Sequence, residues 1–284
     1  SAYNFDISNS VSANLKPGII YDIQRTGVKA DMAEATSYAS GTGTEADPYI
    51  IETVGQLKYM EKMTQEDKYF YNGKFFKLDN DLTINGEWTP IGTNDKPFRG
   101  TFDGNGHTIY GNLKFNNVAQ NGAVGLFGYA GNNAVIKNLN NRATITSTSQ
   151  YNGNYTGAIV GRALNNLTMQ NCSNYGVVKG GTSFVGGLIG NVYLGKDGQN
   201  YKTIIEACHN EGNVTCTYTG TATSSVGGIA GIVGGYWKSY NDIPSLVGYM
   251  SMALIVYKLS INWVNRFFQY TNKVSYEWYL IHIL

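Results

Sequence analysis

Three aspartates in the first half of the chain have the spacing closest to that of a catalytic site. Asp79, Asp81 and Asp103 each border a short strand-like run, so the turns that carry them could converge. Two carboxylates about 5–10 Å apart would serve a glycosidase. Asp in such turns more often bonds its own backbone, and neither Arg99 nor Arg162 is flanked by the calcium-binding carboxylates of a polysaccharide lyase. The sequence predicts no catalytic residues and leaves a carbohydrate-active lyase or hydrolase as the alternative.

Metal and cofactor chemistry are poorly represented in the sequence. The run from Asp79 to Thr83 begins like a calcium loop, but Ile84 stands where that loop requires glycine. His107 and His209 have no metal ligand near them in the sequence, and neither an HExxH motif nor a CxxC pair is present. We therefore expect no metal and no cofactor.

Aromatic and amide side chains indicate a binding function. The chain has 22 tyrosines, and sugar faces stack on aromatic rings while amides bond hydroxyl groups. Tyrosine is also favoured on ordinary β-sheet surface, which is the competing interpretation. With a net charge of +1 and no Lys/Arg cluster, the sequence excludes nucleic acid and favours a glycan or a host surface protein as partner. The candidate binding residues are Tyr151, Tyr155, Tyr175, Tyr193, Tyr201 and Tyr218.

Glycine-bracketed apolar boxes recur along the chain and must position these side chains. A charged fraction of 14% with 35 glycines is typical of a turn-rich all-β protein. The boxes end 33, 29 and 41 residues apart, a period typical of a solenoid. We expect these glycines to take positive φ values between strands. The final glycines of the boxes are Gly128, Gly161, Gly190 and Gly231.

A second block recurs independently at Ile136–Asn141, Met169–Asn174 and Ile205–Asn210. It lacks a helical period, which excludes helical repeats, and a parallel β-helix with about 4.8 Å between equivalent residues fits best. The predicted fold is all-β, a right-handed parallel β-helix over residues 41–238. Its expected stacked columns are an inward column of Leu139, Cys172 and Cys208, a second of Ile145, Val178 and Val214, and an amide ladder of Asn141, Asn174 and Asn210.

Stacking also decides what the cysteines do. In-register positions point the same way about 4.8 Å apart, farther than the about 3.8 Å between the Cβ atoms of a disulfide. We therefore expect Cys172 and Cys208 to be two buried free thiols rather than a bridge, and Cys216 to be buried as well.

A solenoid requires a capping element at each end. Thr53 and Gln56 fit a capping box, and apolar residues one turn apart predict a short capping helix over 53–63. Residues 1–40 are interpreted as strands followed by a linker that begins at Ala33. Residues 239–284 lack the repeat and have three competing interpretations: an irregular or helical cap, a tail unrelated to the rest, and a membrane span over 243–264.

The combined motifs resemble the GLUG-repeat β-helix family of bacterial surface proteins. The resemblance covers about residues 41–235 and rests on Glu45–Ile51, Trp88–Gly92, Phe98–Ile109 and the glycine boxes. It implies a right-handed β-helix on a secreted or surface-anchored protein, and a similar β-helix precedes the catalytic domain of IgA-cleaving metallopeptidases. It implies no activity, because members use these repeats as stalk or binding modules.

The run Leu15–Ile23 resembles the closing strands of fimbrillin-like proteins of gut anaerobes, with an ordinary hairpin as the alternative. This resemblance implies that the chain begins inside a longer surface protein. The sequence therefore predicts a non-catalytic, adhesin-like or stalk module at the bacterial surface. Membrane association would come through anchoring of the parent protein or, less simply, through the carboxyl-terminal segment.

Overall fold

The computed structural model describes residues 33–66, 71–116, 118–151, 153–181, 183–195, 201–220 and 224–234. The strands expected before residue 33 and the cap, tail or span expected over 239–284 lie outside the described residues.

Within this part of the chain there is one helix, α1 (Val54–Glu66), and the rest of the regular structure consists of short strands. The strands are β1 (Tyr49–Ile51), β2 (Phe75–Leu78), β3 (Leu82–Glu87), β4 (Thr101–Asp103), β5 (Thr108–Phe115), β6 (Ala123–Val124), β7 (Phe127–Gly131), β8 (Val135–Lys137), β9 (Asn140–Asn141), β10 (Thr144–Ser147), β11 (Tyr155–Gly157), β12 (Val160–Leu164), β13 (Thr168–Gln170), β14 (Ser173–Asn174), β15 (Val178–Gly180), β16 (Phe184–Gly186), β17 (Ile189–Tyr193), β18 (Ile204–Glu206), β19 (His209–Asn210), β20 (Val214–Cys216), β21 (Ser225–Gly227) and β22 (Ala230–Gly234).

The strands form four open sheets, and all their ladders are parallel. From β4 onward, strands pair with the equivalent strands of the next repeat, and the chain passes through all four sheets before it returns to the first. The expectation of an all-β fold with parallel pairing is therefore confirmed. The sheet orders are β1-β2-β4-β8-β13-β18, β19-β14-β9-β5-β10-β15-β20 with β3 beside β5, β21-β16-β11-β6, and β22-β17-β12-β7.

A single large apolar cluster fills the space between the sheets. At its amino-terminal end, aromatic rings pack in sequence, with centroid distances of 5.8 Å from Phe76 to Phe98 and 5.1 Å from Phe98 to Phe127. Toward the carboxyl end, smaller aliphatic side chains, Val160, Ile189 and Ala230, occupy the positions equivalent to Phe127. Because the side chains of a parallel stack point the same way in each repeat, one inward column of the sequence becomes one continuous strip of core.

Helix α1 lies against the first strands and buries Val54, Leu57 and Met60 in that core. The predicted capping box is confirmed: the amide of Gln56 donates to Thr53 Oγ1 at 3.2 Å, and the amide of Thr53 donates to Gln56 Oε1 at 3.2 Å. These bonds satisfy donors that the first helical turn leaves free. The helix runs three residues beyond the predicted end.

The segment interpreted as a linker packs against the repeat. The amide of Ala35 donates to the carbonyl of Gly55, and Ser40 forms an isolated antiparallel bridge with Ile50. The ring of Tyr38 stacks on Tyr49 with centroids 4.5 Å apart. From Ala33 onward the chain therefore belongs to the packed structure.

Candidate functional site

The predicted asparagine ladder is a run of buried amides bonded from repeat to repeat. Asn141 Nδ2 donates to Asn174 Oδ1 at 2.6 Å, and Asn174 Nδ2 donates to Asn210 Oδ1 at 2.8 Å. The amides also bond their own turns, since Asn174 accepts from the amide of Gly176 and donates to its carbonyl. The structure therefore places these three residues in a positioning element, not in a ligand site.

A second amide contact lies three residues earlier in the block. Asn171 Nδ2 donates to Asn138 Oδ1 at 2.9 Å, and Asn138 Nδ2 donates to Asp103 Oδ1 at 2.9 Å. Asn138, Asn171 and Ala207 have φ values of 54°, 50° and 51°, so this position forms the left-handed corner of each repeat. This column is visible in the aligned blocks of the sequence, but the predicted amide ladder included only the column of Asn141.

The expectation of positive φ at the box glycines is wrong for Gly128, Gly161, Gly190 and Gly231. These positions need glycine because two sheets approach each other there. A Cβ atom on Gly161 would lie 2.4 Å from the backbone nitrogen of Val124, and one on Gly190 would lie 2.6 Å from the nitrogen of Thr156. Each box thus brings a strand of the β7–β12 sheet against a strand of the β6–β11 sheet.

None of the three cysteines, all of which lie in the described part of the chain, forms a disulfide, as predicted for Cys172 and Cys208. Cys172 is buried beside Leu139, but Cys208 and Cys216 are half-buried, which corrects the expectation that both would be buried. The reason is that β18, β19 and β20 are the outermost strands of their sheets within the described residues. A thiol contact with Cys172 lowers the pKa of Cys208 to about 7, whereas the same contact and burial raise the pKa of Cys172.

The candidate catalytic carboxylates hold turns. Asp81 Oδ1 accepts from the amide of Thr108 at 2.9 Å and lies 3.2 Å from His107 Nδ1. Partial burial opposes ionisation of Asp103, but bonds from Asn138 and the Asn105 amide, together with Lys137, hold its pKa below the usual value.

Both histidines that the sequence left without a partner lie beside a carboxylate. His107 is next to Asp81, and His209 Nε2 lies 2.8 Å from Glu211 Oε1. Among the described residues, however, no cluster of three or more His, Cys, Asp or Glu side chains could hold a metal ion.

A cleft of the described structure lies beside a loop over residues 88–97. Trp88 is buried and its indole N–H donates to the carbonyl of Leu126 at 3.1 Å, which fixes the start of the loop. Gly92 has a φ of 82°, and a Cβ atom there would lie 2.4 Å from the carbonyl oxygen of Tyr129. The Trp88–Gly92 motif therefore shapes one wall of the cavity.

The other wall consists of residues 115–116 and 118–123, between the end of β5 and the start of β6. The buried side chain of Asn154 accepts from the amide of Gly122 at 3.0 Å, and the hydroxyl of Tyr129 donates to the carbonyl of Asn121. Between the walls is a cleft of about 740 Å³. Its polar side chains are Gln65, Glu87, Thr89, Thr93, Asn94, Asn116, Gln120, Asn121, Tyr129 and Arg162.

Arg162 borders the cleft from the next repeat. Its guanidinium carbon lies 4.8 Å from the ring centroid of Tyr155 and 4.7 Å from that of Tyr193. Its Nε donates to Asn191 Oδ1 at 2.9 Å. Burial raises the pKa of Tyr129, and the neighbouring Arg162 opposes that rise. The cleft thus combines neutral amide and hydroxyl groups with one fixed cation.

The six candidate tyrosines do not form one face. Tyr155 and Tyr193 both contact Arg162, whereas Tyr175 packs against Arg142, between strands elsewhere in the repeat, with the guanidinium carbon 4.5 Å from its ring centroid. The remaining three are separate: Tyr151 is exposed, Tyr201 lies over Gly195, and Tyr218 lies over Gly220.

One sequence signal could have found Arg162. The residues that directly follow the final glycines of three successive boxes are Tyr129, Arg162 and Asn191, so aligning the boxes also aligns this column. The loop walls carried no such repeat signal.

Comparison with known proteins adds three similarities. The chain is 32% identical over 196 residues to halomucin of Haloquadratum walsbyi, a match that spans 66% of this chain and 2% of that protein. It is 34% identical over 122 residues to a protein provisionally named Gly-rich membrane protein in Evansella cellulosilytica, spanning 43% of this chain and 14% of that one. The chain therefore covers only a small part of either relative.

A crystal structure from Bacteroides ovatus, provisionally assigned as an immunoglobulin A1 protease, superposes with a TM-score of 0.51. It is 24% identical, and the match covers 70% of this chain and 57% of that one. At this identity the similarity shows the fold alone. No protein-family model matches the chain, so the GLUG-repeat resemblance stays a prediction.

Among the described residues, no helix has both the length and the hydropathy that a membrane crossing requires.

Proposed function

We propose that the chain is a right-handed parallel β-helix of the GLUG-repeat type that acts as a non-catalytic binding module of a bacterial surface protein. Three features support the β-helix: parallel ladders in all four sheets, equivalent residues in register across repeats, and one core enclosed between the sheets. The names of the relatives, a halomucin and a membrane protein, support a position at the cell surface.

The cleft carries the functional proposal. A volume of about 740 Å³ accommodates several sugar rings, and neutral amides and hydroxyls on both walls match the donors and acceptors of sugar hydroxyl groups. Glu87 is the one carboxylate among the cleft-lining side chains, and it accepts a bond from Asn116. Glycoside hydrolysis by the usual mechanism needs two carboxylates across the scissile bond. The lining therefore favours glycan retention without turnover.

The test is a glycan array probed with the full chain, combined with a reducing-sugar assay on every glycan that is retained. We expect retention of glycans and no increase in reducing ends. The variant Thr89→Trp places a large ring at an exposed position of the cleft wall and abolishes retention, whereas Thr215→Trp, at an exposed strand position outside the cleft, does not. Release of reducing ends would overturn the non-catalytic function, and an array with no retained glycan would overturn the binding function.

A further inference from the structure

Resting on the glycan-binding function proposed above, we propose that Arg162 makes the cleft selective for a carboxylated sugar, a uronate unit within a glycan. Apart from its apolar residues, the cleft is otherwise lined by neutral polar groups and one acid. The Arg162 guanidinium, as the one cation of the cleft, then favours sugars that carry a carboxylate over neutral ones.

The position of the Arg162 guanidinium is fixed before any ligand arrives. The rings of Tyr155 and Tyr193 both contact it, with centroid distances of 4.8 and 4.7 Å. Asn191 takes the Nε hydrogen through a 2.9 Å bond. The Tyr129 hydroxyl is a second hydrogen-bonding partner of this guanidinium. An arginine has five N–H donors, so terminal N–H groups remain for the oxygens of a carboxylate. Because the side chain is held in place, a ligand does not have to order it, which favours affinity.

The charge of Arg162 is not matched by an acid of the described part of the chain. The four ion pairs found there at up to 4.0 Å involve other residues. Glu87, the acid of the same cleft, is exposed and bonded to Asn116. Asp95 is close enough to Tyr129 to raise the pKa of its hydroxyl, but it makes no ion pair with Arg162 within that distance. A ligand carboxylate would be the first direct counter-ion of this guanidinium.

The rest of the lining narrows the ligand class to a glycan. A nucleic acid or a polyphosphate presents many negative charges and is bound by several cations. This cleft has one arginine, and Glu87 would repel a second closely spaced anion. An extended acidic peptide gains affinity from main-chain bonds along a free strand edge, but loops form both walls here. Amides and hydroxyls around one cation suit a sugar chain with isolated carboxylates.

The experiment is calorimetric titration of the full chain with oligosaccharides of galacturonate, mannuronate and hyaluronan, each paired with its methyl ester. We expect at least one acid form to bind about tenfold or more tightly than its ester, the effect of a charge-assisted hydrogen-bonded pair of about 1.4 kcal/mol. The variant Arg162→Gln removes the preference, so that the acid and its ester bind with about equal affinity. Arg162→Lys keeps the charge without the planar fork and recovers part of the preference.

Arg142 offers a matched control, since its guanidinium also lies over a tyrosine ring, 4.5 Å from the centroid of Tyr175, but outside the cleft. Arg142→Gln is expected to change neither affinity. Equal binding of acid and ester forms, or full acid binding by Arg162→Gln, would overturn the selectivity while the glycan-binding function stands. Equal, Arg162-dependent binding of poly-glutamate would also overturn it. If neither acidic nor neutral glycans bind, the proposed function itself fails.

Discussion

Truncation of Asn174 to alanine is expected to lower the free energy of unfolding by about 3–5 kcal/mol. Its side chain is completely buried and makes four hydrogen bonds: to both Gly176 backbone groups at 2.9 and 3.1 Å, to Asn141 at 2.6 Å and to Asn210 at 2.8 Å. Each buried group left without a partner costs about 1–3 kcal/mol.

The buried Gly176 N–H and C=O groups account for most of this loss. Asn141 keeps a bond to the carbonyl of Ala143, and Asn210 is half-buried, so water can replace its lost partner. These two residues therefore add little, and the total stays near the middle of the range of about 2–6 kcal/mol set by two unsatisfied groups.

The matched control is Asn140→Ala, one position before the ladder in β9. Its amide makes a single exposed bond to the carbonyl of Gly106 at 2.9 Å, so we expect a loss of about 0.5–1 kcal/mol. Equilibrium urea unfolding of the full chain, followed by far-ultraviolet circular dichroism, measures both changes. If the two variants differ by less than about 1 kcal/mol, the ladder is not the stabilising element described here.

Four further predictions concern other positions of the repeat. Gly190→Ala should lower the free energy of unfolding by about 2 kcal/mol in the same urea assay, because its Cβ would lie 2.6 Å from two backbone atoms. Gly228→Ala, which has open space around it, should lower it by less than about 0.5 kcal/mol. Equal losses of stability in the two variants would contradict this. Ala207→Asn should gain about 1 kcal/mol, since asparagine tolerates the φ of 51° better and extends the Asn138–Asn171 contact, and a loss would contradict this. Iodoacetamide at neutral pH should label Cys208, whose pKa is about 7, before it labels the fully buried Cys172, and peptide mass mapping would show the order. Labelling of Cys172 first would refute the lowered pKa of Cys208. Burial raises the pKa of Glu61 from 4.5 to about 7, so its contribution to stability is complete below pH 4.5 and declines as pH rises through 7; Glu61→Gln should remove that decline, and unchanged pH profiles would refute it.

The sequence was sufficient for the repeating part of the fold because each repeat applies the same packing condition. The block pattern aligned Leu139, Cys172 and Cys208. The structure agrees, because the residue after Cys172, Ser173, pairs with the residue after Cys208, His209. The positions of the glycine boxes were predicted correctly, but the reason why glycine is needed there was not. A positive φ is a local property, whereas the approach of Gly190 to Thr156 depends on how two sheets meet, and a single sequence does not contain that distance.

The candidate site was largely missed because it is made where the repeat is interrupted. The loop over residues 88–97 carries extra residues between its bridges at Ile91 and Phe98, whose partners Phe127 and Ala130 lie close together in β7. The cleft wall at residues 115–116 and 118–123 takes the same place as the connection from β10 to β11, but it belongs to neither recurring block, so the blocks could not locate it. The prediction relied instead on tyrosine abundance. Two of the six tyrosines are placed beside the cleft, as supports of Arg162, and the other four lie elsewhere on the surface.

Regular stacking and ligand binding make opposite demands on the same chain. Identical positions about 4.8 Å apart produce continuous, filled columns, and a filled column has no room for a ligand. A cleft appears only where one repeat inserts a loop that the next does not match, and a selective group appears where the residue type changes within an otherwise regular column. Tyr129, Arg162 and Asn191 are such a column: the backbone is equivalent in all three, but only the middle member carries a charge. In this architecture the repeat therefore specifies the scaffold, and the departures from it, at residues 88–97 and at Arg162, are where a ligand can be recognised.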